Sequence, residues 1–555
     1  MPNVKESLQK SAVVAAWLAE TTAKRTVAIA TLASLVFCIL CGINLTGQGV
    51  YYDEAHQAPA AFTWLGKEPI AFSRAVIGGV PLLNMPYSGA LKSHLYGLYL
   101  RVSGRHFSVL SWRSLGIGFA AVGIFLFCLI GGSRLGIRGL LLFLALLLSD
   151  GTVLLTSRHD WGPTALALAL RLLFLGIWIR GATASDRTTR TAFVLGAVVG
   201  LSIFEKLSSV VLLAPLYLIL ATRSSRTIRA WTFAHLGLLA GALPLLVANA
   251  YTWMSSHALI SLTPNPPYPP VSWLTFARHY LALGQGRQAR LWILGTIANP
   301  LYSGVEAGLI AGICLLIAWT AIRDREFRLS GLCIASYAIV GVFVMLLPGK
   351  TYVHHWILGT PFQYLAIALA VADAPERSQS TRRFLTLAAG ALLLLRLPAL
   401  YSTEDALMHG KASTGFDPSF TKLAQFAGRH PESQFVATTW GTGVQMYCLS
   451  DGQPDHVFEP FWDAARIEQL KAMLKEPNRR FLYLTELPGA VALRADLTAR
   501  TVKAVEESAE WQEVPVDPEL SNLAVVRVRK FERRVQARLG AGSGRAISER
   551  IAPLG

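Results

Sequence analysis

Long, uninterrupted runs of apolar residues constrain the fold of this chain more than any other feature. A helix of about 20 apolar residues matches a hydrocarbon core about 30 Å thick, and the sequence repeats runs of about this length. The chain of 555 residues is 53% apolar and only 15% charged, which is typical of a polytopic membrane protein. We expect about eleven transmembrane helices, at approximately 26–45, 110–131, 138–156, 162–180, 191–204, 207–222, 230–250, 303–322, 330–348, 353–372 and 383–400.

Arginine marks one side of the membrane. With a cytoplasmic N-terminus, every short loop predicted inside contains arginine, as the positive-inside rule requires. These loops account for much of the net charge of +17, so we expect no nucleic-acid partner. The pattern predicts a multi-pass protein of the bacterial inner membrane whose first apolar run is a retained anchor. The arginines of these loops are Arg134 and Arg138; Arg180, Arg187 and Arg190; Arg223, Arg226 and Arg229; Arg323, Arg325 and Arg328; and Arg377, Arg382 and Arg383.

The outer segments differ from the inner loops in length and composition. We assign residues 1–401 to a transmembrane domain with two long outer loops, 46–109 and 251–302, the second of which contains a proline-rich stretch at 264–270. Short apolar strands alternate with helical patterns in 402–535, which predicts a small extracytoplasmic α/β domain. The remaining residues, 536–555, are predicted to be a disordered tail.

Ionisable residues gather at the predicted outer ends of the helices. Asp53 and Glu54 follow directly after the first apolar run, where bland solvated residues are usual. Carboxylates and cations that meet at one membrane interface favour a site for an anionic, partly lipidic substrate. The other members of this set are Lys92, His94, Arg158, His159, Asp160, Glu205, Lys206, Lys350, His354 and His355.

The Asp53-Glu54 pair after the first span resembles the signature of GT-C glycosyltransferases. It is most similar to the family 39 lineage of protein O-mannosyltransferases and aminoarabinose lipid A transferases. The resemblance continues along the chain and covers nearly all of it. Its further motifs are Tyr87–Lys92, similar to a His-Pro-Pro-Leu-Gly-Lys element with the lysine retained; Arg158-His159-Asp160, at the position of a second family aspartate; Phe204–Leu207, with a family lysine; Tyr352–Trp356 with Pro361; and Thr439–Ser450 in the C-terminal domain.

The resemblance implies an α-helical GT-C fold and transfer of a sugar from a polyprenyl phosphate to an acceptor hydroxyl, with inversion. The acceptor would be a glycan, a lipid or a protein, and no cofactor beyond the lipid-linked donor is required. Asp53 is the expected general base, because the hydroxyl loses its proton as it attacks. Asp160 is expected to orient the acceptor or share the base role, and Glu54 to hold an arginine or the loop. The residues expected to bind substrate, mainly as cations for the leaving phosphate, are Lys92, Arg158, His159, Lys206, Tyr352, His354 and His355.

Structural interpretations of these residues remain open at this stage. Asp53, Glu54 and Asp160 also fit the N-termini of helices, where acidic residues are favoured. Lys92 and Lys206 also fit lysines that extend to the interface. No cluster has the spacing of a zinc site, because His354 and His355 are adjacent in sequence. A transporter or flippase of a lipid-linked anion is the alternative function, and it predicts ionisable residues near the middle of the spans.

Overall fold

A computed structural model of the protein describes residues 4–67, 74–183, 189–222, 228–262, 272–297, 299–324, 327–347, 351–373, 379–438, 441–452, 456–460, 465–476, 479–487 and 495–534, with backbone alone for 4–22. Most of the apolar runs form helices. In the N-terminal three quarters of the chain the helices are α1 (Val4–Gly42), α2 (Tyr52–Ala55), α3 (Leu91–Ser103), α4 (Val109–Leu148), α5 (Gly151–His159), α6 (Thr164–Thr183), α7 (Thr189–Glu205), α8 (Leu213–Thr222), α9 (Ile228–Ser256), α10 (Trp273–Leu281), α11 (Arg287–Leu294), α12 (Pro300–Arg323), α13 (Arg328–Leu346), α14 (Val353–Trp356), α15 (Thr360–Asp373) and α16 (Gln379–Met408).

The described part of the chain contains 7 helices that are long and apolar enough to cross a membrane. They are α1, α4, α6, α9, α12, α13 and α16. Two shorter apolar helical stretches cover 207–222 and 360–372. The chain is therefore a multi-pass membrane protein, whereas the expected count of eleven spans is not confirmed.

Helix α4 merges two of the predicted spans. Its 40 residues are interrupted at Gly136, which has φ 61° and ψ 172°, so the inside loop expected there is reduced to a sharp break. The predicted span 138–156 is divided, because Asp150 starts a new helix as the N-cap of α5. Its carboxylate accepts the Val153 N–H at 2.9 Å and the Tyr364 hydroxyl at 2.6 Å. Asp150 thereby fixes α5, whose last turn carries Arg158 and His159.

Helices α7 and α9 pack backbone against backbone. A Cβ added at Gly196, Gly200, Gly237 or Gly241 would lie 1.9, 2.2, 2.0 or 2.1 Å from a carbonyl oxygen of the opposite helix. Such close approach through small residues is the usual way that transmembrane helices associate. The crossing fixes where α7 ends, at Glu205, and hence where Lys206 begins the next segment.

Arg396, which lies within the last predicted span, forms a buried ion pair. Its guanidinium donates to Glu306 at 2.7 Å and to the Leu146 carbonyl at 3.0 Å, and all three residues are buried. A charged side chain inside a membrane is costly unless it is paired, so this contact joins α16 to α12 and α4.

The first outer loop is folded rather than extended. Pro59–Leu65 form a 3-10 helix, and the loop ends in α3. Between them is an antiparallel sheet that the sequence did not predict. Its strands, in the order β1-β2-β3, are β1 (Arg74–Ile77), β2 (Val80–Met85) and β3 (Ser88–Gly89).

The C-terminal region forms the predicted α/β domain. Its five-stranded sheet has the order β5-β4-β6-β8-β7, in which β4 runs parallel to β5 and β6, and β8 runs antiparallel to β6 and β7. The boundary expected at 401 falls inside α16. The stretches 264–270 and 536–555 lie outside the described residues. The elements are β4 (Gln434–Ala437), β5 (Val457–Phe458), β6 (Phe481–Glu486), β7 (Trp511–Val514), β8 (Arg527–Arg533), α17 (Ser419–Arg429), α18 (Thr442–Leu449), α19 (Ala465–Lys475), α20 (Ala495–Glu506) and α21 (Pro518–Ser521).

Candidate active site

Asp53 and Glu54 lie together on α2, a single helical turn that follows the first span. Glu54 is fully buried, and its carboxylate receives two hydrogen bonds from the Arg113 guanidinium, at 2.8 and 2.9 Å. The same guanidinium donates to the carbonyl oxygens of Leu45, Gln48 and Gly49. Glu54 and Arg113 therefore tie α2 and the strip before it to α4.

Asp53 points to the other side of α2 and has a neutral hydrogen-bond donor. The Trp161 indole N–H donates to Asp53 Oδ2 at 2.9 Å. Burial by the surrounding protein raises the pKa of Asp53 to about 6, against the opposing effects of this bond and of the Lys206 charge. A carboxylate with a raised pKa that is still ionised near neutral pH has the properties of a general base.

Asp160 caps α5 with a left-handed backbone, φ 45°, and both of its carboxylate oxygens are engaged. Oδ2 accepts from Lys92 Nζ at 2.6 Å, in an ion pair whose side chains are 1% and 0% exposed. Oδ1 accepts the Ala165 N–H at 2.8 Å and so also caps α6, as the structural interpretation proposed. Lys92 Nζ lies 3.6 Å from the centre of the Trp112 ring, so its charge is held from two sides.

Gln57 connects the two aspartates. Its side-chain amide donates to the backbone carbonyl of Asp53 at 3.0 Å and to that of Asp160 at 2.8 Å. Trp161, the residue after Asp160, contacts the Asp53 carboxylate. Residues more than 100 positions apart in the sequence are thus brought to one site at the ends of the helices.

Lys206 is a cation whose charge acts on Asp53, and it forms no salt bridge with a carboxylate among the described residues. It is 5% exposed, and its Nζ donates to the His354 carbonyl at 3.4 Å. Burial, together with the nearby Arg171 charge, lowers the pKa of Lys206 to about 7, against the opposing effects of Asp160 and Asp53. A Cβ at Gly162 would lie 3.3 Å from Nζ, so this glycine leaves room for the ammonium group.

Arg158 and His159 contribute to the framework of the site. The Arg158 guanidinium donates to the carbonyl oxygens of Cys41, Ile43 and Asn44 and to the Gln48 side chain. It therefore fixes the turn that follows α1. The His159 ring is fully buried and packs edge-on against Phe416 at 5.1 Å.

Aromatic rings and two histidines pack around Trp161 and Tyr352. His354 lies 4.8 Å from Trp161 and 5.8 Å from Tyr352, ring centre to ring centre, and His355 accepts the Tyr352 N–H at 3.2 Å. Burial lowers the pKa of both histidines well below the usual value, and the charge of Lys206 adds to this effect. Both rings are therefore neutral at pH 7.

Several residues of the site were missed in the sequence. Gln57, Arg113, Trp161 and Trp292 had no assigned role in the site, and the Trp292 ring lies 5.6 Å from the Tyr352 ring, centre to centre. A signal existed for Arg113, because an arginine inside an apolar run requires a partner. The same signal applies to Arg171, which is buried and has two guanidinium nitrogens without a hydrogen-bond partner among the described residues.

No three histidine, cysteine or acidic side chains of the described residues lie close enough together to hold a metal ion. Lys350, Thr439 and Trp440, which the sequence motifs included, lie outside the described residues.

The helical bundle, the folded loop 46–109 and the C-terminal α/β domain define a polytopic α-helical membrane protein with a small α/β domain. Its architecture is similar to that of ArnT from Cupriavidus metallidurans, an aminoarabinose lipid A transferase of family 39, in the apo state. That similarity has a TM-score of 0.56 and 12% sequence identity, over 94% of this chain and 98% of that chain. The structure of the same ArnT bound to undecaprenyl phosphate is similar with a TM-score of 0.52 and 14% identity, over 90% and 97%.

No protein-family model and no curated protein matches the sequence. At such low identity the two ArnT structures establish the fold alone. They confirm the predicted helical membrane fold with its C-terminal α/β domain, over nearly the whole chain.

Proposed function

We propose that the protein is an inverting glycosyltransferase that moves a sugar from a polyprenyl-phosphate donor to an acceptor hydroxyl at the outer face of the membrane. The observation that carries this proposal is the environment of Asp53. It is a partly exposed carboxylate with a raised pKa, beside a neutral indole donor and a buried lysine. The fold shared with ArnT, of which one structure has undecaprenyl phosphate bound, supports a lipid-phosphate donor.

In this reaction Asp53 takes the proton of the acceptor hydroxyl as the oxygen attacks the anomeric carbon. The bond from that carbon to the phosphate oxygen breaks, and the polyprenyl phosphate leaves with an additional negative charge. Because the leaving phosphate needs cations rather than an acid, Lys206 and the buried guanidinium of Arg171 are the candidates to stabilise it. Lys92 instead compensates Asp160, and Arg158 holds the turn after α1.

The two aspartates have separate tasks in this proposal. Asp53 lacks a cation within salt-bridge distance among the described residues, so its lone pairs are available to a proton. Asp160 is paired with Lys92 and caps α6, so it orients the site rather than accepting the proton. Glu54 holds α2 through Arg113.

The test is Asp53→Asn in proteoliposomes supplied with undecaprenyl phosphate that carries labelled aminoarabinose or mannose, with lipid A or a serine-rich peptide as acceptor. Transfer is expected to fall by about 10²-fold or more, as for removal of a general base. Asp405→Asn, on the exposed face of α16, is the matched control and is expected to keep the wild-type rate. Wild-type transfer by a folded Asp53→Asn protein would disprove the base assignment.

If the wild-type protein transfers no sugar from any of these donors, a binding measurement tests the lipid class separately. Undecaprenyl phosphate alone is expected to raise the thermal unfolding midpoint, since a ligand that binds only the folded state stabilises it. No shift with this lipid would contradict the proposed donor class.

A further inference from the structure

The C-terminal domain contacts the strip that carries Asp53 from one side through the loop before α17. The Gly49 N–H donates to the Phe416 carbonyl at 2.7 Å, and the Phe416 ring stacks on Tyr51 with centres 4.5 Å apart. A Cβ at Gly49 would lie 2.3 Å from the Asp417 carbonyl oxygen. The two backbones are therefore in direct contact just ahead of α2.

Helix α18 contacts the same strip from a second side. Gln445 donates to the Val50 carbonyl, and the Cys448 thiol donates to the Ala55 carbonyl at 3.5 Å. Val444 and Cys448 are fully buried in one apolar cluster with Val50 and Ala55. Helix α18 thus contacts the chain both just before α2, at Val50, and at the end of α2, at Ala55.

Gly441 makes the closest approach. It precedes α18 with a left-handed backbone, φ 89°, and a Cβ there would lie 2.2 Å from the Cβ of Tyr52, the neighbour of Asp53. Only glycine fits this position, for both its backbone and its contact.

A buried carboxylate holds α18 in this position. Glu459 is 3% exposed, and its two oxygens accept the N–H groups of Gly441 and Gly443, each at 2.9 Å. These are free donors at a helix N-terminus, where a negative charge is favourable. Burial raises the pKa of Glu459 to about 7, which its N–H donors and the charge of Arg466 oppose.

We propose that α18, held by Glu459, positions Asp53, so that the C-terminal domain acts on the reaction through α2 and not only as a cover. This inference rests on the proposed function. Helix α2 is a single turn of four residues, and so short a helix has no stable orientation of its own. What packs against α2 therefore sets the direction of the Asp53 carboxylate. Gly441, Gln445 and Glu459 are positioning residues, since α18 contacts α2 and the strip before it.

The experiment is Gly441→Ala, which pushes a methyl group against Tyr52. We expect kcat to fall by about 10-fold or more, because small displacements of a catalytic group can cost up to about 10²-fold, while KM for donor and acceptor stays within about two-fold. Gly410→Ala is the matched control. It imposes similar left-handed strain, φ 64°, but its Cβ would have no neighbour closer than 3.6 Å. Its kcat is expected to remain at the wild-type level.

Combination with Asp53→Asn separates positioning from general damage. If Gly441→Ala acts through Asp53, it causes no further loss in the Asp53→Asn background, as expected for two changes in one interaction. The same fold loss in both backgrounds would overturn the inference. A raised acceptor KM with normal kcat would also overturn it, in favour of acceptor binding by the domain.

Gln445→Ala is a milder second variant, which removes one hydrogen bond to the strip and adds no bulk. Monodisperse elution in detergent and an unchanged unfolding midpoint identify variants that are folded. A folded Gln445→Ala or Gly441→Ala protein with wild-type kcat disproves the inference even where Asp53→Asn is inactive. Full activity of Asp53→Asn, in contrast, disproves the proposed function.

Discussion

Asp53 and Asp160 lie near the ends of helices and differ in how their charge is compensated. Asp160 has an ammonium group at 2.6 Å, whereas the direct partner of Asp53 is the neutral Trp161 indole. A carboxylate that the surrounding protein shields from water and that has no cation in contact keeps its proton to higher pH, which makes it the better proton acceptor. The division of roles therefore follows from the partners and not from residue type.

The pH dependence of transfer tests this division. Asp53 must be ionised to act as a base, so kcat/KM is expected to rise with pH through about 6. Lys206 must be charged to stabilise the leaving phosphate, so kcat/KM is expected to fall through about 7. The result is a narrow bell, measured as initial rates of transfer over a series of buffers of constant ionic strength.

Trp161→Phe tests whether the ionisation of Asp53 causes the acid limb of this pH profile. The indole bond lowers the pKa of Asp53, so its removal is expected to move the acid limb to higher pH and leave the alkaline limb in place. An acid limb that stays in place in this variant would assign it to another group.

Sequence reasoning located these residues but not their partners. Asp53 was recognised from its place after the first span, and Asp160 from its place after a later one. The Trp161 contact joins positions 108 residues apart, and Arg158 proved to bind the turn after α1. Such contacts depend on how the helices pack, which a single sequence does not specify. Only an arginine inside an apolar run, such as Arg113, indicated in the sequence that a long-range partner must exist.

At the scale of elements, the crossing of α7 and α9 determines where Lys206 lies. Backbones in contact at four glycines leave no freedom for α7 to slide, and Lys206 follows its last residue. The Leu207 N–H then donates to the Tyr87 carbonyl at 2.9 Å, which joins this segment to the first outer loop. A distant helix pair thus helps to build the site.

Gly200→Ala tests this crossing. Its Cβ would lie 2.2 Å from the Leu238 carbonyl oxygen, so the helices must separate, at a cost of about 1–3 kcal/mol typical of overpacking. The thermal unfolding midpoint in detergent is expected to fall. Gly312→Ala on α12, where nothing lies within 4 Å, is the control and is expected to leave the midpoint unchanged or raise it. Equal midpoints for the two variants would contradict the close contact.

Periodicity predicted most helices but misjudged where some of them end. Apolar composition does not show how two helices are joined: Gly136, with φ 61° and ψ 172°, separates the two halves of α4 without a longer loop. The short strands β1–β3 escaped prediction because the longest of them has six residues and pairs only within the loop. In the C-terminal domain, β4 and β6 are compact apolar runs between polar segments, whereas β5 has only two residues and β8 has five charged side chains among its seven residues, so neither of these two gives an apolar signal.

At the scale of the whole molecule, the C-terminal domain and Asp53 lie at the same end of the bundle, since α18 contacts α2. The arginine-rich loops predict that the opposite end, where Arg138 follows the break in α4, faces the cytoplasm. Contact between domain and site requires both to be on one side, and the arginines determine which side that is. We therefore expect the site to be extracytoplasmic.

Single cysteines in a variant without the native six test this orientation. Lys471→Cys on α19 replaces an exposed lysine whose surface ion pair contributes little to stability, and Arg138→Cys replaces an exposed residue at the other end. In right-side-out vesicles a membrane-impermeant maleimide is expected to label position 471 alone, and position 138 only after the membrane is permeabilised. The reverse pattern would place the site in the cytoplasm, where the arginines of the loops would then violate the charge rule. Labelling of both positions in intact vesicles would instead contradict their separation by the membrane.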